Sequence, residues 1–213
     1  MAGMIYLLSP VTYEGTISLP MIKFTLLPTE IDFNSYDLLM FTSKQAVKSI
    51  EQIDPTWKKV PTLAIGDATA NEIESLGGEV IHKPQNFYAK TLNQDIVTLF
   101  KDKKILYLRP TEVSFDSKLY LKTLGLALHE KIIYETSCIT YAKNKKPLKN
   151  AIIIFTSPST IQCFFKNFDW DESYTAVVIG EATKKHLPQH INVVVAKQAL
   201  ISSCIATAEA LNI

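Results

Sequence analysis

The sequence predicts an α/β protein of two similar domains, each a parallel sheet flanked by helices. The apolar runs DLLMFTS and NAIIIFTS lack polar alternation, which is typical of strands that helices cover on both faces of a parallel sheet. Phe-Thr-Ser begins at Phe41 and again at Phe155, and 155 − 41 = 114. A motif that recurs at a fixed offset indicates a duplicated structural unit.

A second motif keeps the same offset. Ile-Gly begins at Ile65 in AIGDATA and at Ile179 in VIGEATK, and 179 − 65 = 114. The apolar segment MIYLLSP (4–10) also resembles KILYLRP (104–110), since a proline closes each. The repeat alone predicts two consecutive units, roughly 4–100 and 104–213.

Helix start signals follow each of these strands. Ser43 and Ser157 stand where an N-cap is expected, and Pro158 suits the first helical turn. The segments TLAIG and AVVIG run in the same way into DATANEIESLGG and EATKKHLP. Strands that alternate with helices imply parallel sheets.

The repeated motifs predict a ligand site at the carboxyl ends of the strands, where helix N-termini present free N–H groups to anions. Gly66 and Gly180 would let a ligand approach the backbone closely. Hydroxyl donors would come from six residues: Thr42, Ser43, Thr69, Thr156, Ser157 and Thr183. The alternative is that these side chains only cap helices. The ligand that the set indicates is an extended polyanion gripped between two domains.

Charge and hydropathy exclude two classes of partner. The net charge is +1, and the 22 basic residues are all lysines except Arg109. The sequence has no long basic stripe with interleaved aromatic residues, so nucleic acid is not expected as a partner. No apolar run approaches the ~20 residues of a membrane span, and the start MAGMIYLLSP has no basic region typical of a signal peptide. A cytoplasmic location is therefore expected.

Neither a disulfide framework nor a metal site is predicted. Cys138, Cys163 and Cys204 are odd in number and scattered, which favours a reducing compartment. His186 and His190 lie four residues apart, but Pro188 would break the helix that could align them. Since the sequence also has no nucleotide-binding loop, we expect no cofactor.

The ordered set of motifs resembles the uroporphyrinogen-III synthase family. FTSKQAV, AIGDATANEIESLGGEV, ILYLRP, EKIIYETS, FTSPST and AVVIGEAT occur in that family's order and at its spacing, over nearly the whole chain. The resemblance implies a discontinuous domain of residues 1–27 and 139–213 and an inserted domain of residues 34–130. Linkers 28–33 and 131–138 would form a two-stranded ladder between them.

The resemblance also implies a cofactor-free lyase of porphyrin and haem biosynthesis. Such an enzyme closes the linear tetrapyrrole hydroxymethylbilane to uroporphyrinogen III, with loss of water and inversion of ring D, through an azafulvene and a spiro intermediate. The expected enzyme is a monomer that could receive its substrate from hydroxymethylbilane synthase. Its main task would be to hold one substrate conformation, since the free substrate closes without inversion.

Residues carry over from the family motif by motif. Tyr134 in IIYETS matches a linker tyrosine and would assist departure of the hydroxyl, although a packing tyrosine is the alternative. Ser157 and Thr183 match cleft positions, while Ser43 and Thr69 match positions on the other wall. Thr183 is expected both to cap its helix and to hold a carboxylate.

One segment departs from the family. After ILYLR many members continue with glycine, an acidic residue and a second arginine, whereas this chain has Pro110 and keeps Arg109 alone. Lys118 or Lys122 could substitute, but a lysine lacks the planar two-pronged contact of arginine.

Two other functions compete with the synthase. A non-catalytic two-domain binding module for a small polyanion would need an export signal, which is not seen. A small α/β transferase would need a nucleotide loop or a nucleophile beside a base, and neither motif occurs.

Overall fold

The computed structural model describes residues 3–86 and 88–211. The chain forms two compact units. One comprises the residues up to Lys23 together with those from Ser137 onward, and the other comprises Phe24–Thr136. The two consecutive units expected from the repeat alone are therefore wrong, because the first strand of the chain packs with its last third.

The discontinuous unit contains a five-stranded sheet. Its elements are β1 (Ile5–Leu7), β2 (Ile17–Ser18), β9 (Ile152–Phe155), α5 (Pro158–Asn167), β10 (Thr175–Val178), α6 (Glu181–Lys184), β11 (Val193–Val195) and α7 (Ile201–Leu211). The strand order is β11-β10-β9-β1-β2, and all neighbouring strands run parallel.

The inserted unit contains most of a six-stranded sheet. Its elements are β3 (Ile22–Leu26), β4 (Leu38–Phe41), α1 (Lys44–Ile53), β5 (Thr62–Ala64), α2 (Asp67–Ser75), β6 (Val80–His82), α3 (Ala89–Leu99), β7 (Ile105–Pro110), α4 (Ser117–Thr123) and β8 (His129–Cys138). The strand order is β3-β8-β7-β4-β5-β6. Short 3-10 helices occupy Phe33–Ser35 and Pro55–Lys59 in this unit and Lys143–Lys145 in the discontinuous one. No helix within the described ranges has both the length and the apolar character needed to cross a membrane.

The two sheets have one topology, which confirms the predicted α/β class with similar units. Strands β6-β5-β4-β7-β8 follow the same order as β11-β10-β9-β1-β2. Met40 pairs with Tyr107 and Ile154 pairs with Leu7, so residues 114 apart in β4 and β9 have equivalent partners. MIYLLSP and KILYLRP are thus alike because they form the equivalent strands β1 and β7, although β1 precedes β9, β10 and β11 in the chain whereas β7 follows β4, β5 and β6.

Burial on both faces explains the unbroken apolar strands. In β4, Leu39 and Phe41 belong to a core with α1 and α2, whereas Leu38 and Met40 belong to a second core with α3 and α4. Successive strand residues point to opposite faces, so a strand covered on both sides needs an apolar residue at every position. All four residues of β4 and of β9 are buried.

The predicted ladder forms with a different first strand. Residues 28–33, expected as one linker strand, contain no strand; β3 (Ile22–Leu26) pairs with β8 instead. Pro28 lacks an N–H to donate, and Asp32 caps the 3-10 helix Phe33–Ser35 by accepting from Asn34 N, so this segment turns. The chain passes between the units within β3 and within β8.

The cysteine prediction is also wrong. Cys138, at the end of β8, is disulfide-bonded to Cys163 of α5, and Cys204 is free and buried. The two bonded residues are 25 positions apart, and only the packing of β8 beside α5 brings their Cα atoms to 5.2 Å. A count of scattered cysteines could not indicate that proximity.

Gly78, which follows α2, has no room for a Cβ atom, so alanine at this position should destabilise the inserted unit. An added Cβ would lie 2.6 Å from the Trp57 ring and 2.8 Å from Ile73 Cγ2. Overpacking of this kind costs about 1–3 kcal/mol, measurable by urea unfolding of Gly78→Ala. The matched control is Gly180→Ala, since no described atom lies within 4 Å of a Cβ at Gly180. Equal stability of Gly78→Ala and the wild type would contradict the prediction.

Candidate functional site

Both repeated motifs of the inserted unit lie at one edge of its sheet. Thr42 and Ser43 directly follow β4, while Ile65 and Gly66 directly follow β5. Because β4 and β5 run parallel, their carboxyl ends share this edge. The helices α1 and α2 begin there and direct their first N–H groups to it.

The discontinuous unit repeats the arrangement. Thr156 and Ser157 follow β9, and Ile179 and Gly180 follow β10, its parallel neighbour. Helices α5 and α6 begin at this edge. Eight of the ten predicted site residues thus lie among the five residues that follow a strand's carboxyl end, four in each unit, whereas Arg109 and Tyr134 lie within β7 and β8.

The Thr42 hydroxyl is bonded to a phenol that the sequence analysis did not single out. Its Oγ1 lies 2.6 Å from the hydroxyl oxygen of Tyr107 in β7. The Tyr107 side chain is buried, with 2% of the residue exposed. Its ring packs in the core with α3 and α4, so that only the oxygen reaches the carboxyl edge.

The Ser43 hydroxyl has a phenol partner as well. Its Oγ lies 3.0 Å from the hydroxyl oxygen of Tyr134 in β8 and accepts a hydrogen bond from Ala46 N at 3.1 Å. Ser43 is thus the N-cap of α1, as predicted. Tyr134 is buried, and its ring meets Phe24 edge to face.

The two phenols approach from opposite faces of the sheet. Tyr134 belongs to the core with Leu39 and Phe41, whereas Tyr107 belongs to the core with Met40. Consecutive residues at the end of β4 therefore each meet one phenol. Both the packing and the site interpretation of Tyr134 fit this geometry, because its ring is core and its oxygen reaches the motif.

Burial keeps both phenols protonated. Desolvation raises the pKa of Tyr134, the hydrogen bond to Ser43 opposes that rise, and nearby Tyr107 adds to it. Desolvation likewise raises the pKa of Tyr107, opposed by the hydrogen bond to Thr42 and by the charge of Arg109. Each phenol can thus donate a proton at neutral pH.

The second motif leaves two buried threonines unpaired. Thr69 and Thr183 occupy the third position of α2 and α6, and each is 4% exposed. Within the described residues neither hydroxyl has a hydrogen-bond partner. The N-caps are Gly66 and Gly180, which make no side-chain cap. Thr183 is therefore not the cap that was expected, because Gly180 holds the N-cap position and Thr183 lies within the first turn of α6.

Ser157 is a cap, as the alternative interpretation allowed. Its Oγ accepts from Thr160 N, and Thr160 Oγ1 accepts from Ser157 N, which completes a capping box. Thr156 is half-buried, and its hydroxyl is unpaired among the described residues. No phenol meets it, because Leu7 stands where the inserted unit has Tyr107.

Arg109 is already engaged within its own unit. Its Nη1 donates to the carbonyls of Pro110 and Thr111 at 2.8 and 3.0 Å. Its Nε lies 3.1 Å from Glu130 Oε1, but the N–H is not aligned with an acceptor, so that contact is ionic. Lys118 Nζ is 3.9 Å from Glu130 Oε2. A ligand carboxylate would have to compete with Glu130 for this guanidinium.

Two cavities of the inserted unit, of about 310 and 380 Å³, lie away from these motifs. Val60 and Pro61, which precede β5, line the first, and Lys104, which precedes β7, lines the second. Both therefore open at the amino edge of the sheet. In the part of the chain that the structure describes, no three His, Cys, Asp or Glu side chains are grouped to hold a metal ion.

Sequence reasoning missed Tyr107 and Glu130. Tyr107 lies in an apolar strand, β7, and Glu130 lies in the motif EKIIYETS, which was used only for its tyrosine. Neither residue type is unusual in a strand. The available signal was the comparison of ILYLR with IYLLS, in which the tyrosine shifts by one residue and so faces the opposite side of its sheet.

Comparison with known proteins identifies one family. The model of the family described as uroporphyrinogen-III synthase HemD matches residues 14–206. A search of curated protein sequences found no match.

Solved structures agree with that match. Uroporphyrinogen-III synthetase from Helicobacter pylori 26695 is similar at a TM-score of 0.82 and 25% identity, over 98% of this chain and 99% of that chain. A mutant uroporphyrinogen III synthase from the extremely thermophilic bacterium Thermus thermophilus has a TM-score of 0.62 at 12% identity, over 99% of each chain, which shows the shared fold.

Proposed function

Because the chain belongs to the uroporphyrinogen-III synthase family, we propose that its two carboxyl-edge hydroxyl sets hold hydroxymethylbilane while its macrocycle closes. The family match over residues 14–206 is the observation that carries this proposal. It favours the synthase over a non-catalytic binding module, since members of this family are cyclising lyases.

The reaction loses water from a linear tetrapyrrole. The C–O bond of the hydroxymethyl group breaks, its electron pair leaves with oxygen, and a proton completes the water molecule. The resulting azafulvene is attacked by the substituted carbon of ring D, and the spiro intermediate fragments and recloses with that ring inverted. Orientation of the chain ends is the main catalytic need, because the substrate is already reactive.

Neutral donors at both edges suit a substrate that carries carboxylates along its length. Hydroxyl and backbone N–H groups bind carboxylates without trapping them as strongly as a row of cations would. Thr69 and Thr183 are the strongest candidates, since each is buried and its hydroxyl is unpaired among the described residues. Thr156 adds a third free donor. Gly180 leaves room for a ligand beside its backbone, since an added Cβ would meet no described atom within 4 Å, whereas Gly66 is buried.

Tyr134 acts in this proposal through Ser43. A phenol is a stronger acid than an aliphatic alcohol, so Tyr134 donates to Ser43 Oγ, which also accepts from Ala46 N. Both acceptor sites of Ser43 are then used, and its own O–H is left to donate. The leaving hydroxyl takes the Ser43 proton while Ser43 takes the Tyr134 proton, which is general acid assistance by a two-step relay.

Arg109 binds substrate only as a partner shared with Glu130. Its side chain is 17% exposed and its ion pair is within the unit, so we assign it a charge-balancing role at the edge, with Lys118 beside the same carboxylate. Lys122, in the last turn of α4, is exposed and free to contact a substrate carboxylate in solution.

The test couples the purified protein to an enzyme that forms hydroxymethylbilane and separates the oxidised porphyrin isomers. Isomer III in excess over isomer I is expected, because uncatalysed closure gives isomer I. Isomer I alone, at the spontaneous rate, would overturn the proposal.

Thr183→Ala should weaken product binding without removing a helix cap. One hydrogen bond to a charged group contributes about 1.5 kcal/mol at the low end of its range, which is roughly tenfold in affinity. The stability should fall by no more than about 1 kcal/mol, the order of one buried methyl group, because Thr183 is not the cap of α6. Titration calorimetry with uroporphyrinogen III measures the affinity, and Thr207→Ala in α7 is the matched control. Equal affinity of Thr183→Ala and the wild type would count against the assignment.

Location and assembly complete the proposal. We place the enzyme in the cytoplasm as a monomer that takes its substrate from hydroxymethylbilane synthase, without nucleic acid, membrane, metal or cofactor. Thiols in the cytoplasm are kept reduced, so the proposed location and the Cys138–Cys163 disulfide disagree. Native size-exclusion chromatography with light scattering tests the monomer.

A further inference from the structure

The relative acidity of the two hydroxyls indicates which one donates in the hydrogen bond between Tyr107 and Thr42, since the geometry allows either. The two oxygens are 2.6 Å apart, a strong hydrogen bond in which one must be the donor. The phenol is the stronger acid, and burial keeps it protonated. Tyr107 therefore donates to Thr42 Oγ1.

That direction leaves the Thr42 proton without an acceptor. A threonine hydroxyl has a single O–H, and among the described residues Thr42 Oγ1 contacts no partner besides Tyr107. A hydroxyl that accepts one hydrogen bond is polarised and donates a second more strongly. Thr42 stands at the carboxyl end of the central strand β4, half-buried, so its O–H is available to a ligand.

We propose that Tyr107 is a positioning residue, which holds the Thr42 oxygen so that the Thr42 O–H binds a substrate carboxylate. This inference rests on the proposed function. The inference also predicts a difference between the two units. Thr156 is the counterpart of Thr42 but has Leu7 in place of the tyrosine, so its hydroxyl is not held by a phenol and would bind without preorganisation.

Tyr107→Phe should raise KM for hydroxymethylbilane about three- to tenfold, the range of one ordinary hydrogen bond, with little change in kcat. The ring and its packing remain. A merely structural role would lower stability without this split between KM and kcat. Urea unfolding of each variant records the stability separately.

A double-mutant cycle makes the test specific. In a Thr42→Val background Tyr107→Phe should have no further effect on KM, whereas in a Thr156→Val background it should keep its full factor. Thr42→Ser, which retains the hydroxyl, should retain a KM near that of the wild type. If Tyr107→Phe does not fold, the comparison of Thr42→Ser with Thr42→Val still tests the inference, because equal KM values in these two variants would show that no hydroxyl at residue 42 binds substrate and would overturn it.

Two outcomes would overturn the inference while the wild type still forms isomer III: a wild-type KM in Tyr107→Phe, or the same rise in KM with and without Thr42. Failure of the wild type to form isomer III would overturn the proposed function and this inference with it. The isomer assay and the cycle therefore separate the two claims.

Discussion

Replacing Tyr134 by phenylalanine is expected to slow formation of uroporphyrinogen III by about 10²-fold, the low end of general acid catalysis, with product affinity little changed. The substitution removes one oxygen and keeps the ring in its core. Because substrate that the variant does not convert closes spontaneously, the yield of isomer I must rise as that of isomer III falls. The isomer ratio at fixed time, with kcat from initial rates, measures both effects.

The proposed relay through Ser43 also predicts how the Ser43 and Tyr134 substitutions combine. Ser43→Ala should cost a similar factor in rate, and the double variant should lose little beyond either single variant, since the two groups move one proton in sequence. Ser43→Ala should also lose about 1 kcal/mol of stability through the lost cap of α1. Independent factors that multiply in the double variant would contradict the relay.

Tyr174→Phe is the matched control. Tyr174 is also a buried phenol, but it donates to the Pro147 carbonyl, and it immediately precedes β10 and so lies at the amino edge of its sheet. Its loss should reduce stability by about 1 kcal/mol, as for an ordinary hydrogen bond, and leave the isomer ratio unchanged. An altered ratio in this control would show that any buried phenol matters, and the assignment of Tyr134 would fall.

Sequence reasoning reached the fold because the decisive signals are local and repeated. Unbroken apolar strands require two covered faces, and Ser43, Ser157 and Pro158 mark helix starts through their own chemistry. The 114-residue offset then predicts equivalent places in two sheets. Topology was the exception, since a repeat cannot tell a strand that precedes its unit from one that follows it; only the family resemblance indicated the discontinuous unit.

The missing parts of the site depend on distance across the sheet. Tyr107 and Thr42 are 65 residues apart, and Tyr134 and Ser43 are 91 apart, so no local pattern joins them. The engagement of Arg109 with Glu130 has the same origin. Hydroxyl positions could be predicted, whereas their partners, and hence which hydroxyls are free, could not.

The disulfide gives the largest expected effect on stability. Reduction of Cys138–Cys163, which are 25 residues apart, should lower the free energy of unfolding of the discontinuous unit by about 3.5 kcal/mol on the chain-entropy relation. The bond joins the end of β8 to α5, the helix that Ser157 caps. Loss of the bond therefore frees the segment where the chain enters this unit.

The two tryptophans allow the effect to be localised, because Trp57 lies in the inserted unit and Trp170 in the discontinuous one. In a Trp57→Phe background, urea unfolding followed by fluorescence reports on Trp170 alone. Dithiothreitol should shift that transition to lower urea in the parent and leave it unchanged in Cys138→Ala and in Cys138→Ala/Cys163→Ala. The single and double variants should unfold together, since either removes the whole bond.

The count of thiols decides whether the bond exists in the working enzyme. Protein quenched in acid, then alkylated in denaturant without reductant, should carry one label, on Cys204, if the disulfide is closed, and three after reduction. Three labels before reduction, together with no response to dithiothreitol, would show that the disulfide is not formed. The cytoplasmic location would then agree with the state of the cysteines. One label in protein taken directly from cells would instead mean that this disulfide persists against the thiol pool, and the cytoplasmic location proposed for the enzyme would have to be abandoned or the bond assigned an unusually low reduction potential.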